Sequence, residues 1–216
     1  MQLPYNPGDV RRIDELLNNH WPDAACELQA RDPFEFLVAV ICSAQTSDQR
    51  VNQVMAVLQE HLCGLPAYAA ISIPDLSALL SRLPLYRQKA RAISECARLI
   101  SELHGGELPR DPHALRQLPG VGAKTAAVVL GNRLGVPAIA VDSHVARCSQ
   151  RLGLSRSTQA TSIELDLCRR FPQDRWVQLC HQLIRLGRAH CRPKAPRCSS
   201  CPLRRVCPAN GVNDAR

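Results

Sequence analysis

The sequence predicts an all-α fold, and three observations predict it. Apolar residues recur at helical spacing along most of the chain. Capping residues stand directly in front of several of these runs. Alternating strand patterns with hairpin turns are scarce. The clearest start is Asp32-Pro33-Phe34-Glu35: Asp32 can cap, Pro33 suits the first helical position, and Glu35 sits where a capping box wants a carboxylate. The apolar run Phe36 to Cys42 follows as a buried helix, although periodicity alone leaves a strand open. Val51, Val54, Met55 and Leu58 mark a second helix, and Pro74-Asp75 opens a third through Leu80. Arg87 to Leu103 is a long amphipathic helix stopped at Gly105-Gly106. Asp111-Pro112 repeats the cap-plus-proline start, Ala123 to about Arg133 forms the next helix, and Thr161 to Arg170 and Asp174 to Gly187 complete the set. The polar tail Asn210 to Arg216 reads as frayed.

With 216 residues the chain is long enough for one large domain or two small ones. Aromatics are 4%, so Leu, Ala, Val and Ile must build the core, and a broad aromatic platform for stacking bases is excluded. Lys and Arg number 27 against 19 acidic residues, for a formal charge of +8. Such a balance favours polyanions, because each neutralised phosphate releases counterions; plain solubility is the alternative. Met1 to Val10 contains no basic segment followed by an apolar run, and no apolar stretch approaches the roughly 20 residues of a membrane span. A reducing, cytoplasmic setting is therefore expected, in which the 11 cysteines are thiols or metal ligands rather than disulfides.

Three constellations carry chemistry. Cys191, Cys198, Cys201 and Cys207 have the spacing C-x6-C-x2-C-x5-C. Four thiolates in so short a stretch repel one another unless a cation holds them, which suits tetrahedral zinc or an iron–sulfur cube. Zinc ribbons show two close C-x2-C pairs and only one is present, so a [4Fe–4S] cluster is favoured. The other seven (Cys26, Cys42, Cys63, Cys96, Cys148, Cys168, Cys180) read as small core residues. Arg188, Arg192, Lys194, Arg197, Arg204 and Arg205 surround the quartet, placed either to offset thiolate charge or to face phosphate.

The second constellation is Leu118-Pro119-Gly120-Val121-Gly122-Ala123-Lys124-Thr125-Ala126. Gly120 and Gly122 permit a tight turn whose N–H groups face outward at a helix N-terminus, where free donors and the helix dipole favour a phosphate. This is a helix-hairpin-helix signature, a grip on the DNA backbone that ignores sequence; a plain interhelical turn is the alternative. The third is a Lys–Asp pair. Lys124 sits one turn into the helix after the hairpin, and Asp142 lies in Val141-Asp142-Ser143-His144. Taken alone, Lys124 is an ordinary surface lysine and Asp142 a helix N-cap.

Together these residues resemble the endonuclease III family. L-P-G-V-G-A-K-T-A, V-D-S-H some eighteen residues on and the four-cysteine spacing carry the likeness, with Pro33-Phe34-Glu35-Phe36-Leu37 and Ser43-Ala44-Gln45-Thr46-Ser47-Asp48. It extends from about Asp32 to Cys207. The resemblance implies two helical domains flanking a DNA-binding groove. One is a six-helix domain bearing the hairpin, residues 26–136; the other, residues 1–25 with 137–216, is helical and carries a C-terminal [4Fe–4S] loop. It also implies a base-excision-repair glycosylase with AP lyase activity, acting on oxidised pyrimidines in duplex DNA and sufficient as a monomer. Lys124 would be the nucleophile, Asp142 the catalytic carboxylate and the four cysteines the cluster ligands. Gly120, Val121, Gly122 and His144 would contact DNA, and Gln45 and Leu85 would fill the gap left by an extruded nucleotide. An amine attacks only when uncharged, and burial beside a helix N-terminus disfavours the ammonium, so Lys124 is expected to be buried. Gln45 and Leu85 have simpler readings as a helix-end polar residue and a loop-packing leucine. Three positions depart from the family pattern: Pro84 where glycine is usual, Ala127 where asparagine is frequent, and Leu186 where histidine often sits. None touches the Lys–Asp pair, but Pro84 bears on substrate range. The alternatives are an adenine-mismatch glycosylase of the same superfamily, which lacks the lysine nucleophile, and a non-catalytic helix-hairpin-helix DNA-binding protein.

Overall fold

A computed structural model describes residues 7–212. Among these residues every regular element is helical: α1 Pro7–His20, α2 Pro33–Cys42, α3 Asp48–His61, α4 Gly64–Ala70, α5 Ile73–Leu79, α6 Tyr86–His104, α7 Pro112–Arg116, α8 Ala123–Arg133, α9 Ser143–Arg151, α10 Ala160–Arg170 and α11 Trp176–Ala189, with a 3-10 turn at Gln173–Arg175. The all-α expectation holds, and Phe36 to Cys42 is helix, not strand. No described helix is long and apolar enough to cross a membrane. Of the polar tail, residues 213–216 lie outside the described residues. The chain divides into two compact units, Glu27–Val136 and Met1–Cys26 with Pro137–Arg216.

The Glu27–Val136 unit is built around α2. Phe34 through Cys42 are all buried, and α2 packs against α3, α4, α6 and α8. Its start is fixed as the sequence implies, with the Glu35 backbone N–H donating to Asp32 Oδ1 at 2.8 Å. The capping box, however, closes one residue early. Glu35 Oε2 accepts from the backbone N–H of Arg31 at 3.0 Å and from Gln59 Nε2 at 2.9 Å, while Oε1 accepts from the Arg31 guanidinium. Burial alone would raise the Glu35 carboxyl, but these bonds outweigh it and hold the group below its ordinary range. The helix opened by Pro74 begins at Ile73, capped by Ser72, whose Oγ accepts from Asp75 N–H at 3.2 Å. α6 stops as expected at Gly105, which takes the left-handed conformation (φ 61°), and Gly106 N–H then reaches Ile100 O at 3.0 Å. Seven helical segments lie in this unit, against the six implied by the resemblance; the count includes α4, α5 and α7, of seven, seven and five residues.

In the other unit α1, α9, α10 and α11 enclose a core of Val10, Ile13, Leu17, Ile139, Val145, Leu154, Ile163, Leu167, Leu179 and Leu183, with Leu203 of the cysteine loop. α1 is tied to α11 by polar contacts as well. Arg175 Nη2 pairs with Asp14 Oδ1 at 2.9 Å, and buried Gln182 donates to Asn18 Oδ1 at 2.9 Å and Trp21 O at 3.2 Å. Of the seven remaining cysteines, Cys42, Cys96, Cys148 and Cys180 are buried as expected, Cys26 and Cys168 are half-buried, and Cys63 is exposed just before α4.

Candidate active site and cysteine loop

The hairpin is a turn between α7 and α8, closed by Leu118 N–H to Leu115 O at 3.2 Å and Val121 N–H to Leu118 O at 3.1 Å. Gly120 has φ 75° and approaches α6 closely: a Cβ there would lie 3.1 Å from Ala92 Cβ. Leu118 and Val121 are buried and anchor the turn, while Gly122, Ala123 and Lys124 are exposed. α7 begins with a side-chain cap, Asp111 Oδ2 accepting from Ala114 N–H at 2.7 Å. α8 does not: its N-cap is Gly122, which offers no side-chain acceptor. Among the described residues the N–H groups of the first turn of α8 are thus left for an external acceptor, while those of Leu118 and Val121 close the hairpin itself.

Lys124 is the second residue of α8, not one turn in, and it is exposed, not buried. The reason is local: the buried face of α8 is Ala126, Val129 and Leu130, and position 124 lies off it. Water exclusion around the amine is therefore left to whatever binds there. Asp142 is half-buried and is the N-cap of α9, its Oδ1 accepting from His144 N–H and Val145 N–H, both at 2.8 Å. Among the described residues Oδ2 accepts no hydrogen bond, so capping leaves half the carboxylate available. Lys124 belongs to the Glu27–Val136 unit and Asp142 to the other.

Gln45 (φ 62°) and Leu85 (φ 57°) both hold left-handed backbone that non-glycine residues rarely adopt. Both are exposed, Leu85 by 46% although it is apolar. Leu85 is therefore not packed into its loop; it projects from the N-cap of α6, directly after Pro84.

Cys191, Cys198, Cys201 and Cys207 line one small apolar cavity together with Leu152, Leu186 and Pro196. Among the described residues no group of three or more His, Cys, Asp or Glu side chains is arranged around a single metal ion. N–H donors point at two of the sulfurs: Arg151 Nη1 lies 3.5 Å from Cys191 Sγ, and Ala209 N–H lies 3.3 Å from Cys207 Sγ. Hydrogen bonds from Cys148 and then Arg151, with the arginine's charge, draw the Cys191 thiol below its ordinary value against the opposing effect of burial. The six basic residues noted around the quartet are all exposed. The loop also receives cations from α9. Arg147 Nε donates to Cys191 O at 2.8 Å, and Arg151 donates to Arg192 O at 2.6 Å and Pro193 O at 3.1 Å.

Comparison with known proteins decides the family. Residues 38–173 match HhH-GPD superfamily base excision DNA repair proteins. The chain is 43% identical over 194 residues to endonuclease III of Bacillus subtilis (strain 168), covering 89% of each chain, and 36% identical over 200 residues to that of Escherichia coli (strain K12), covering 92% of this chain and 95% of the relative. A solved structure of a trapped endonuclease III–DNA covalent intermediate, an estranged-adenine complex, superposes with a TM-score of 0.89 at 39% identity, covering 95% of this chain and 97% of that one. The chain belongs to the endonuclease III family. As a member of that family it is a DNA glycosylase and AP lyase of base excision repair. Its endonuclease III hairpin is legible in sequence down to the residue. The contacts of Arg147 and Arg151 with the cysteine loop are not, because they join residues some forty positions apart.

Proposed function

We propose that the enzyme removes oxidised pyrimidines from duplex DNA, with Lys124 as nucleophile and Asp142 as the carboxylate that steadies the reacting sugar. The observation that carries this is the exposed Lys124 on the uncapped first turn of α8, beside a hairpin that presents N–H groups to a phosphate. Gly120, Val121 and Gly122 would hold the backbone and bring the extruded nucleotide to the amine, with His144 a further DNA contact. Extrusion costs a few kcal/mol, least for a poorly stacked damaged base, and that difference supplies part of the selectivity. Exposed Gln45 and Leu85, held on strained backbone, would occupy the vacated space.

The chemistry follows from an amine meeting C1′. The neutral Lys124 Nζ donates its electron pair to C1′, the N-glycosidic bond breaks, and the base leaves with that bond's electrons. The Asp142 carboxylate stabilises the positive charge developing on the sugar and assists proton transfer. Loss of an amine proton and opening of the sugar ring give a Schiff base. It acidifies the C2′ proton, whose removal expels the 3′ phosphate by β-elimination. The DNA itself would exclude water from Lys124, since the protein alone leaves it exposed.

The cysteine loop fits an iron–sulfur cluster by its donor set: four thiols on one apolar cavity, with N–H donors aimed at sulfur. Cys191, Cys198, Cys201 and Cys207 would hold a [4Fe–4S] cluster, which when bound supplies a structural fastening for the loop, not bond breaking. Incubating the enzyme with duplexes carrying thymine glycol, uracil, adenine opposite 8-oxoguanine, or an abasic site tests the reading. Cleavage of the thymine glycol and abasic duplexes, with a borohydride-trapped adduct that Lys124→Ala abolishes, is the expected result. Adenine release without lyase activity would assign the enzyme to the mismatch branch, and an undiminished adduct from Lys124→Ala would remove the nucleophile assignment.

A further inference from the structure

Lys89 is 5% exposed, in the first turn of α6, four residues after Leu85. Its ammonium donates to Cys42 O and to Ala44 O, both at 2.8 Å. Cys42 ends α2, where carbonyls lack helical partners and the dipole favours a cation; Ala44 immediately precedes Gln45. The same residue's backbone N–H donates to Leu85 O at 3.0 Å. One residue thus joins the turn presenting Gln45 to the helix that Leu85 caps. Among the described residues Lys89 has no carboxylate partner, and the ionisable group facing it is the buried Cys42 thiol. A buried ammonium without a counterion is costly, and an apolar side chain would fill the space more cheaply. Two left-handed non-glycine residues also persist only where their surroundings over-determine them.

We propose that Lys89 is a positioning residue for base extrusion, pinning the turn of Gln45 to the start of α6 so that Gln45 and Leu85 enter the duplex as one rigid pair. This rests on the wedge reading of those two side chains. Loss of the ammonium frees the two turns from each other while leaving Lys124, Asp142 and the hairpin untouched.

The test uses the whole enzyme with Lys89→Met and Lys89→Gln, beside Gln45→Ala and Leu85→Ala. Single-turnover rates are measured on a fully paired thymine glycol duplex and on the same lesion in an unpaired bulge, where no wedge is needed. On the paired duplex Lys89→Met is expected to lose about 10²-fold in rate, the scale of an ångström-sized misplacement, with a smaller loss for Lys89→Gln, which keeps a donor. On the bulge both variants should run within about threefold of the parent, and affinity for undamaged duplex, set by phosphate contacts, should change no more than that. 2-Aminopurine opposite the lesion should lose its fluorescence rise with either variant. Should Lys89→Met not fold, Lys89→Gln carries the same comparison. Parent-like rates on paired DNA, or equal losses on both substrates, overturn the proposal. Losses in Gln45→Ala and Leu85→Ala with none at Lys89 remove the role of Lys89 alone. Parent-like rates for Gln45→Ala and Leu85→Ala remove the wedge reading and the proposal with it.

Discussion

Adding one methyl group to Gly187 should disturb both stability and catalysis. Gly187 is buried in α11, which packs against α9. A Cβ there would stand 2.6 Å from His144 Nδ1 and 3.1 Å from both His144 Cβ and Arg147 Nη2. The helix itself would gain about 1 kcal/mol from Gly→Ala. Overpacking costs about 1–3 kcal/mol, and the upper end applies because His144 Cβ moves only with its helix. Arg147 would also be pushed from the bonds it makes to Gly187 O at 3.3 Å and Cys191 O at 2.8 Å. The clash wins, leaving a net loss of about 2 kcal/mol and a fall in Tm of about 4–8 °C for a chain of this size. The shift reaches the proposed site, because His144 N–H donates to Asp142 Oδ1. Calorimetry of Gly187→Ala with single-turnover excision on a thymine glycol duplex reads both effects. A Tm equal to or above the parent's, with an unchanged rate, would refute the reasoning.

Asp142→Asn should melt within about 1 °C of the parent, since asparagine caps as well as aspartate, yet excise about 10²–10³-fold more slowly; paired melting and single-turnover measurements check it. Cys201→Ser should bleach the broad absorption expected near ~400 nm and lower Tm; colourless parent protein holding one zinc would favour the zinc alternative instead. Glu35 makes stability acid-sensitive. Its carboxyl is held below the ordinary range in the folded chain, so the stabilisation is present above the unfolded value of about 4.3 and drains as pH falls through the lowered folded value. Urea midpoints across that window should fall steeply for the parent and less steeply for Glu35→Gln.

What the sequence made legible was local. Asp32 and Asp111 cap the helices their cap-plus-proline signals announce, and Gly105 ends the helix it was expected to end. α1 is implied by the resemblance, which places an N-terminal helix in the second unit; the spacing of Val10, Ile13 and Leu17 is the local signal for it. α4 gives little helical signal in sequence, since its seven residues include Gly64 and Pro66. The site divides in the same way. Hairpin residues and the cysteine spacing are contiguous motifs, but burial is a tertiary property. Hence Lys124 was expected inside and lies outside, whereas Lys89, with the look of a surface lysine, is buried. The loop-binding role of Arg147 and Arg151 emerges only once α9 meets a segment far along the chain.

The pairing of Asp14 with Arg175 spans 161 residues of chain. At roughly 5–20 residues per second, a ribosome takes about 8–30 s to travel that distance. Throughout that interval Ile13 and Leu17 of α1 have no α11 to cover them, and before its end Glu27–Val136 is complete enough to collapse on its own. Nascent chains halted before Trp176 should therefore carry a folded middle and a sticky leading helix, which makes the opening segment the place where a chaperone would find its handhold during synthesis.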